Sequence, residues 1–324
     1  MRRLSRVVLV ALGLLSAGAA PVACAQAYPS KPIRLILPFP PGGPTDIVGR
    51  IVGASLSEVV GQSVVADSRP GAAGNIGLEL ASKSPPDGYT IVLSSPIIAL
   101  SSLLYSKLNY DPHKDLAPIA LVGAVHNVFV VHPSVPARTL KEFIALARSR
   151  PGKLNYGSGG VGTTTHLAPE LLKSMMKIDM VHVPYKGSGL AAVALASGQV
   201  DALVVAAPAA QSLIQAGRIR PLAVLAASRL PVLPNVPTAK EAGVDNFEIL
   251  VWYGILAPAG TPRDIISRLN AALKKVVSAP ETKEKMATAG VEPMSSTPEE
   301  YAAFIRSEAE RFAKVIRDAG IRGD

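Results

Sequence analysis

Four segments of this 324-residue sequence combine glycine with hydroxyl or charged side chains in ways that suit capture of an anion. The first is Pro38-Phe39-Pro40-Pro41-Gly42-Gly43-Pro44-Thr45-Asp46. Its prolines stiffen the backbone, while Gly42 and Gly43 permit close approach to a ligand. A helix starting at Thr45-Asp46 turns its first N–H groups toward that loop, where they attract negative charge. The same residues serve equally as a rigid turn with Thr45 or Asp46 capping the helix.

The second is Gly157-Ser158-Gly159-Gly160-Val161-Gly162-Thr163-Thr164-Thr165-His166, with glycines at the G-x-G-x-x-G spacing and Asp179 near the distance of a ribose-binding acid. That pattern admits a dinucleotide. Against it, the preceding strand Lys153-Leu154-Asn155-Tyr156 is weakly apolar and the motif lies in mid-chain. Glycines and hydroxyls at a helix start suit a carboxylate as well. The third, Val183-Pro184-Tyr185-Lys186-Gly187-Ser188-Gly189, offers a cation at Lys186, or a surface lysine beside a helix start. The fourth, Leu93-Ser94-Ser95-Pro96, places hydroxyls at a strand end.

Other chemistries lack their residues. The histidines at 113, 126, 132, 166 and 182 show no H-E-x-x-H spacing, and no G-x-S-x-G elbow or phosphate-loop lysine motif occurs. One cysteine excludes an intrachain disulfide and a cysteine-rich metal site. Asp46 and Asp201 are the acids nearest the four loops, and Asp201 reads as a turn or cap residue. We expect no catalytic residues, no metal and no cofactor. Basic residues are scattered rather than striped with aromatics, which argues against nucleic acid. The terminal Arg322-Gly323-Asp324 is taken as a chance tripeptide.

The elements that position these loops alternate. Strands are expected at Ile33–Leu37, Val64–Ala66, Tyr89–Leu93, Ile119–Val122, Val128–Val131, Met180–Val183, Ala202–Val205, Leu222–Leu225 and Tyr253–Leu256. Helices are expected from Thr45 to Gly61, over 72–82, 139–149, 163–176, 187–197 and 208–216, and from starts at Thr261-Pro262 and Thr297-Pro298. Thr139…Glu142 and Thr297…Glu300 fit the capping box. Such alternation predicts an α/β protein with largely parallel sheets, and so many strands imply two domains. Crossings between them are expected near Gly123–Asn127 and Ala226–Val236. Parallel sheets place ligands at strand carboxyl ends, where the four loops lie.

The first 25 residues look like an export signal. Arg2, Arg3 and Arg6 precede the apolar run Val7–Ala20, which is too short to span ~30 Å of hydrocarbon, and Ala23-Cys24-Ala25 has the small-x-small cleavage pattern. Cleavage after Ala25 removes three arginines, the only cysteine and no acid, lowering the net charge from +9 to +6. It also removes part of what makes the mean hydropathy +0.31.

In their joint order these segments resemble the Bug family of periplasmic solute receptors, the substrate-binding components of tripartite tricarboxylate transporters. The likeness extends through Arg69-Pro70-Gly71-Ala72-Ala73-Gly74-Asn75-Ile76-Gly77, Pro86-Asp87-Gly88-Tyr89-Thr90, His182-Val183-Pro184-Tyr185-Lys186-Gly187, Ser197-Gly198-Gln199-Val200-Asp201 and Leu256-Ala257-Pro258-Ala259-Gly260-Thr261-Pro262. The resemblance implies a two-lobed periplasmic binding protein fold, type II-like. Each lobe would hold a central, mostly parallel sheet flanked by helices, with a hinge between them. The expected division is residues 26–125 plus 237–324 for one lobe and 126–236 for the other. It implies a monomer that closes on a small organic carboxylate and meets the membrane subunits of a tripartite transporter. The expected ligand contacts are Phe39, Gly42, Gly43, Thr45 and Asp46 from one lobe with Ser94 and Ser95, and Ser158, Gly159, Thr163, Thr164, His166, Lys186 and Ala206 from the other. Two positions depart from the family pattern. Pro44 replaces a third glycine, and Val204-Val205-Ala206-Ala207 replaces a more polar segment, which favours an aromatic or branched monocarboxylate if it faces the cleft. A dinucleotide or acyl-transfer enzyme built on Gly157–Gly162, and a receptor that presents its ligand to a membrane sensor, are the alternatives.

Overall fold

The strand β1 (Ile33–Leu37) buries Ile33, Leu35 and Leu37 on one face and Ile36 on the other, as a strand covered on both faces does. It opens the part of the chain described by the computed structural model, residues 28–323. The signal-like segment, Cys24 and Ala25 included, lies outside the described residues. After β1 come α1 (Pro44–Val60), β2 (Val64–Ser68), a 3-10 turn (Ala72–Gly74), α2 (Asn75–Ser82), β3 (Thr90–Ser94) and α3 (Ile97–Leu104). The middle of the chain forms β4 (Leu116–Val131), α4 (Leu140–Ser149), β5 (Asn155–Ser158), α5 (Thr164–Met176), β6 (Val181–Pro184), α6 (Ser188–Ala196), β7 (Ala202–Ala206), α7 (Ala207–Gln215) and β8 (Arg220–Val224). It ends with β9 (Leu250–Pro258), α8 (Arg263–Ser278), α9 (Pro280–Thr288), β10 (Glu292–Pro293) and α10 (Pro298–Asp318).

The strands follow the order β2-β1-β3-β9-β4-β7-β5-β6, with β8 and β10 also paired to β4. The α/β alternation expected from sequence is present, in a mixed sheet. The outer groups β2-β1-β3 and β7-β5-β6 are parallel, while every pairing made by β4 and β9 is antiparallel. The two strands read as Ile119–Val122 and Val128–Val131 are one 16-residue strand, β4. Its residues Leu116 to His126 pair with β9, and Asn127 to Val131 pair with β7. β4 thus changes partner at His126–Asn127. Leu230, Leu233 and Val236 are buried in one core cluster with residues of α6, α7 and β7, and the chain next pairs with the first part of β4 at Leu250.

Sequence periodicity missed α3, whose IIALSSLL is apolar all round and buried, so no polar face marks it as a helix. It also missed the short α9 and the two-residue β10. The capping signals fared well. Thr139 accepts from Glu142 N–H at 3.1 Å at the start of α4, and Thr297 with Glu300 closes a full capping box on α10. The start read at Thr261 is shifted by one, to an N-cap at Pro262. The final helix packs on the core through Tyr301, Ile305, Phe312 and Ile316.

Helix α10 is fixed to β9 by a buried polar contact. Trp252 Nε1 donates to Glu308 Oε2 at 3.1 Å, both residues being buried. Removing the acceptor strands a buried N–H, which costs about 1–3 kcal/mol. Glu308→Ala is therefore expected to lower the unfolding free energy in urea by that amount, and Glu308→Gln, which keeps an acceptor, by clearly less.

Candidate functional site

Each parallel strand hands the chain to a helix through a short loop, and six of these loops meet around one cavity of about 360 Å³. The loop after β1 contributes Phe39 to Thr45, and the 3-10 turn after β2 contributes Ala73. Ser95, Pro96 and Ile97 follow β3. From the other parallel group come Gly159 and Gly162 to Thr165 after β5, Lys186 to Leu190 after β6, and Ala206 at the end of β7. Asn127 of β4 and Val251 and Tyr253 of β9 line the cavity from the sheet. These are nearly all buried, with Asn127 0%, Tyr253 2% and Ala206 5% exposed, so they form its floor. Lys186 is exposed and stands at the mouth.

Five helices, α1, α3, α5, α6 and α7, thus begin at the cavity wall. None of the five has its N-terminus capped by a side chain. The two helices with a capping threonine, α4 and α10, begin elsewhere. First-turn N–H groups have no intrahelical acceptor, and their partial positive charges add to the axial dipole. Lys186 is the one charged side chain among the lining residues, and no carboxylate is among them. Between the glycines and the hydroxyls of Thr45, Ser95, Thr163, Thr164, Thr165 and Ser188, the walls are proline, alanine, isoleucine, leucine, valine and aromatic. The cavity is therefore electropositive, with largely apolar walls dotted by hydroxyls, a combination that suits a small anion carrying a hydrocarbon body.

Of the residues expected from sequence, Phe39, Gly42, Gly43, Thr45, Ser95, Gly159, Thr163, Thr164, Lys186 and Ala206 line the cavity. Asp46, Ser94, Ser158 and His166 do not; their side chains shape the loops from behind. Asp46 accepts Gly42 N–H at 3.0 Å and Arg50 Nε at 2.8 Å. Burial opposes its ionisation, but these hydrogen bonds prevail and hold the carboxyl below the usual carboxylate range. Ser94 is fully buried and donates to the Ser95 carbonyl. Within the departing segment Val204-Val205-Ala206-Ala207, Ala206 faces the cavity, while Val204 and Val205 are buried in core clusters. Pro44 stands as the first residue of α1 and lines the wall.

The glycine-rich loop is built for packing. A Cβ on Gly159 would meet the Ser188 backbone N at 2.9 Å, so glycine there lets the β5 and β6 loops touch. Gly162 adopts φ +78° against Leu104 and gives its N–H to His166 Nδ1 at 3.1 Å. Asp179 sits at the opposite end of β5, where its carbonyl accepts from Gly152 N–H. This arrangement does not fit a dinucleotide, whose acid and glycine loop share one sheet edge. Among the described residues no group of His, Cys, Asp and Glu is placed to hold a metal ion, and no helix is long and apolar enough to cross a membrane.

Behind this loop lies a stack of rings. His166 and His182 are 3.9 Å apart between centroids, and Tyr156 lies 5.0 Å from His182. Ser158 Oγ is 2.6 Å from His182 Nε2 and accepts Gly160 N–H at 3.1 Å. Tyr156 donates to Glu170 Oε1 at 2.5 Å, which also receives Lys173 at 2.8 Å. Burial pushes His166 down to about 3, helped by His182 and Lys173, and pushes His182 down to about 4 against the pull of Glu170. Both rings are neutral at neutral pH, so His166 Nδ1 can accept from Gly162.

Sequence reasoning missed the floor. Asn127, Val251 and Tyr253 sit inside strands, where no turn or glycine marks them. Ser188 and Gly189 also line the cavity, and the helix start after Lys186-Gly187 is the sequence signal that points to them.

Since an unfolded histidine takes up a proton near pH 6.5 and these two do so only near 3 and 4, the unfolded state binds more protons as pH falls below 6.5. Stability is then lost on acidification by up to about 1.4 kcal/mol per pH unit for each ring. Urea unfolding between pH 6.5 and 4.5 is expected to show this slope, and His182→Asn to reduce it. Histidine NMR signals of the folded chain that titrate near 6.5 for both rings would contradict it.

Residues 48–321 match the family model for the tripartite tricarboxylate transporter family receptor. Protein BugT of Bordetella pertussis is 35% identical over 316 residues, covering 97% of each chain. Among solved structures, R. palustris Rpa4515 with adipate is 38% identical with a TM-score of 0.86, covering 91% of this chain and 99% of that one. The periplasmic binding protein BugD is 30% identical with a TM-score of 0.84, again covering 91% and 99%.

Proposed function

Because this chain belongs to the tripartite tricarboxylate transporter receptor family, we propose that it is a periplasmic solute-binding receptor for a small organic carboxylate and performs no catalysis. The observation that carries the ligand class is the convergence of five uncapped helix N-termini on a cavity whose one charged lining side chain is Lys186. A carboxylate there is stabilised by backbone N–H groups and helix dipoles. The adipate held by a structure 38% identical to this chain supports the same class.

The lining loops come from both sides of the His126–Asn127 crossing, which supports two lobes. One is the segment from Asn127 to about Ile249, and the other is the remainder of the mature chain. Ligand bridging both loop sets stabilises the closed arrangement, and that closed surface is what the membrane subunits of a tripartite transporter recognise. The membership of a transporter receptor family supports delivery to a transporter over presentation to a sensor. Export with cleavage after Ala25 completes the reading, and the periplasmic character of BugD supports it. The mature protein acts as a monomer.

A thermal-shift screen of organic acids against their neutral amides tests the ligand class. At least one carboxylate is expected to raise the melting temperature, with its amide silent; shifts from uncharged solutes alone would refute it. Calorimetric titration of Lys186→Ala with that acid is expected to show no more than about a fivefold loss of affinity, shrinking as salt rises, because an exposed charge contributes up to about 1 kcal/mol.

A further inference from the structure

The floor of the cavity carries an acceptor that no described residue uses. Asn127 is fully buried and lines the cavity. Its Nδ2 donates to the Ile249 carbonyl at 3.2 Å, while Oδ1 has no partner among the described residues. Turning the amide over would set Oδ1 against that carbonyl, so the hydrogen bond fixes which end is oxygen. Among the described residues two other buried polar atoms lack partners, His126 Nδ1 and Tyr301 Oη, and neither residue lines the cavity. A buried acceptor left unmatched is costly, and a group that donates to it is rewarded.

We propose that Asn127 Oδ1 reads a hydroxyl on the ligand, so that the cavity prefers hydroxy-monocarboxylates to their deoxy and dicarboxylate counterparts. The inference rests on the carboxylate reading above and adds the chemistry of the ligand's other end. An ammonium at the floor has no carboxylate to pair with, since the lining holds none and Asp46 is engaged by Arg50 and Gly42. A second carboxylate there faces the Asn127 oxygen, which repels it, and the apolar Ala206 and Val251. A hydroxyl is uncharged and donates, and it meets both conditions. The mouth and the floor then divide the recognition. Helix N-termini hold the carboxylate, and Asn127 fixes the hydroxyl across an apolar middle.

Calorimetry at neutral pH on the intact protein decides this. The probes are matched sets: benzoate, para-hydroxybenzoate and terephthalate, and the alkanoates from butanoate to octanoate with their ω-hydroxy and α,ω-dicarboxylate forms. In the set that fits, the hydroxy acid is expected to bind roughly tenfold or more tightly than either counterpart. Asn127→Leu is expected to abolish that preference while still binding the deoxy acid. A purely structural role for Asn127 would weaken all members alike. Carboxylate binding with no hydroxyl preference, or a preference that survives Asn127→Leu, overturns the inference and leaves the carboxylate reading standing. Should the variant fail to fold, the ranking in the unmutated protein decides. If no carboxylate in any set binds, the carboxylate reading falls first.

Discussion

Strand β4 is the constraint on which the rest of the molecule depends. It satisfies its backbone with β9 along its first eleven residues and with β7 and β8 along its last five. A buried strand cannot leave its N–H and C=O groups unpaired, so the position at which it exchanges partners is sharply set. That position, His126–Asn127, brings the carboxyl ends of two parallel strand groups to face one another. Each group alone presents an open row of loops, and together they enclose a cavity.

The cavity's positive potential is chiefly a property of the main chain. Five helices point their N-termini inward, and the side chains that could have quenched those donors are absent. What the loops need instead is rigidity, which comes from groups set behind the wall. Asp46 ties the β1 loop to Arg50, and the neutral His166–His182 pair holds Gly162 and Ser158. Asn75 plays the same part for the turn bearing Ala73, accepting from Ser101 and Tyr110 at 2.7 Å each. These groups form a polar layer that is fully matched, in contrast to the single open acceptor on the floor.

Much of this was legible in the sequence because turns and helix starts are local. Gly42-Gly43, Gly159 to Gly162 and Lys186-Gly187 announced the loops, and strand-helix alternation announced that they share an edge. Asp46, Ser94, Ser158 and His166 lie off the cavity for one reason: a polar side chain at a strand end or in a first helical turn can point into the cavity or behind it, and spacing does not distinguish the two. Ser158 and His166 point behind. The floor was illegible for a different reason. Asn127 is a polar residue in an apolar strand, and its meaning depends on β4 changing partners there, a contact with residues more than a hundred positions away. The fusion of two expected strands into β4 hid that same point.

A grip made from backbone has a consequence for how such a protein diversifies over generations. No single codon change deletes a peptide N–H except one to proline, so the inward-facing donors persist while side chains drift. The floor residues have no such protection. Asn127, Ala206, Val251 and Tyr253 are each one substitution from a different shape or polarity, and none of them forms the charged contact. Lineages that inherit this scaffold can therefore exchange one solute for another at a few strand positions and keep the same anionic handle throughout.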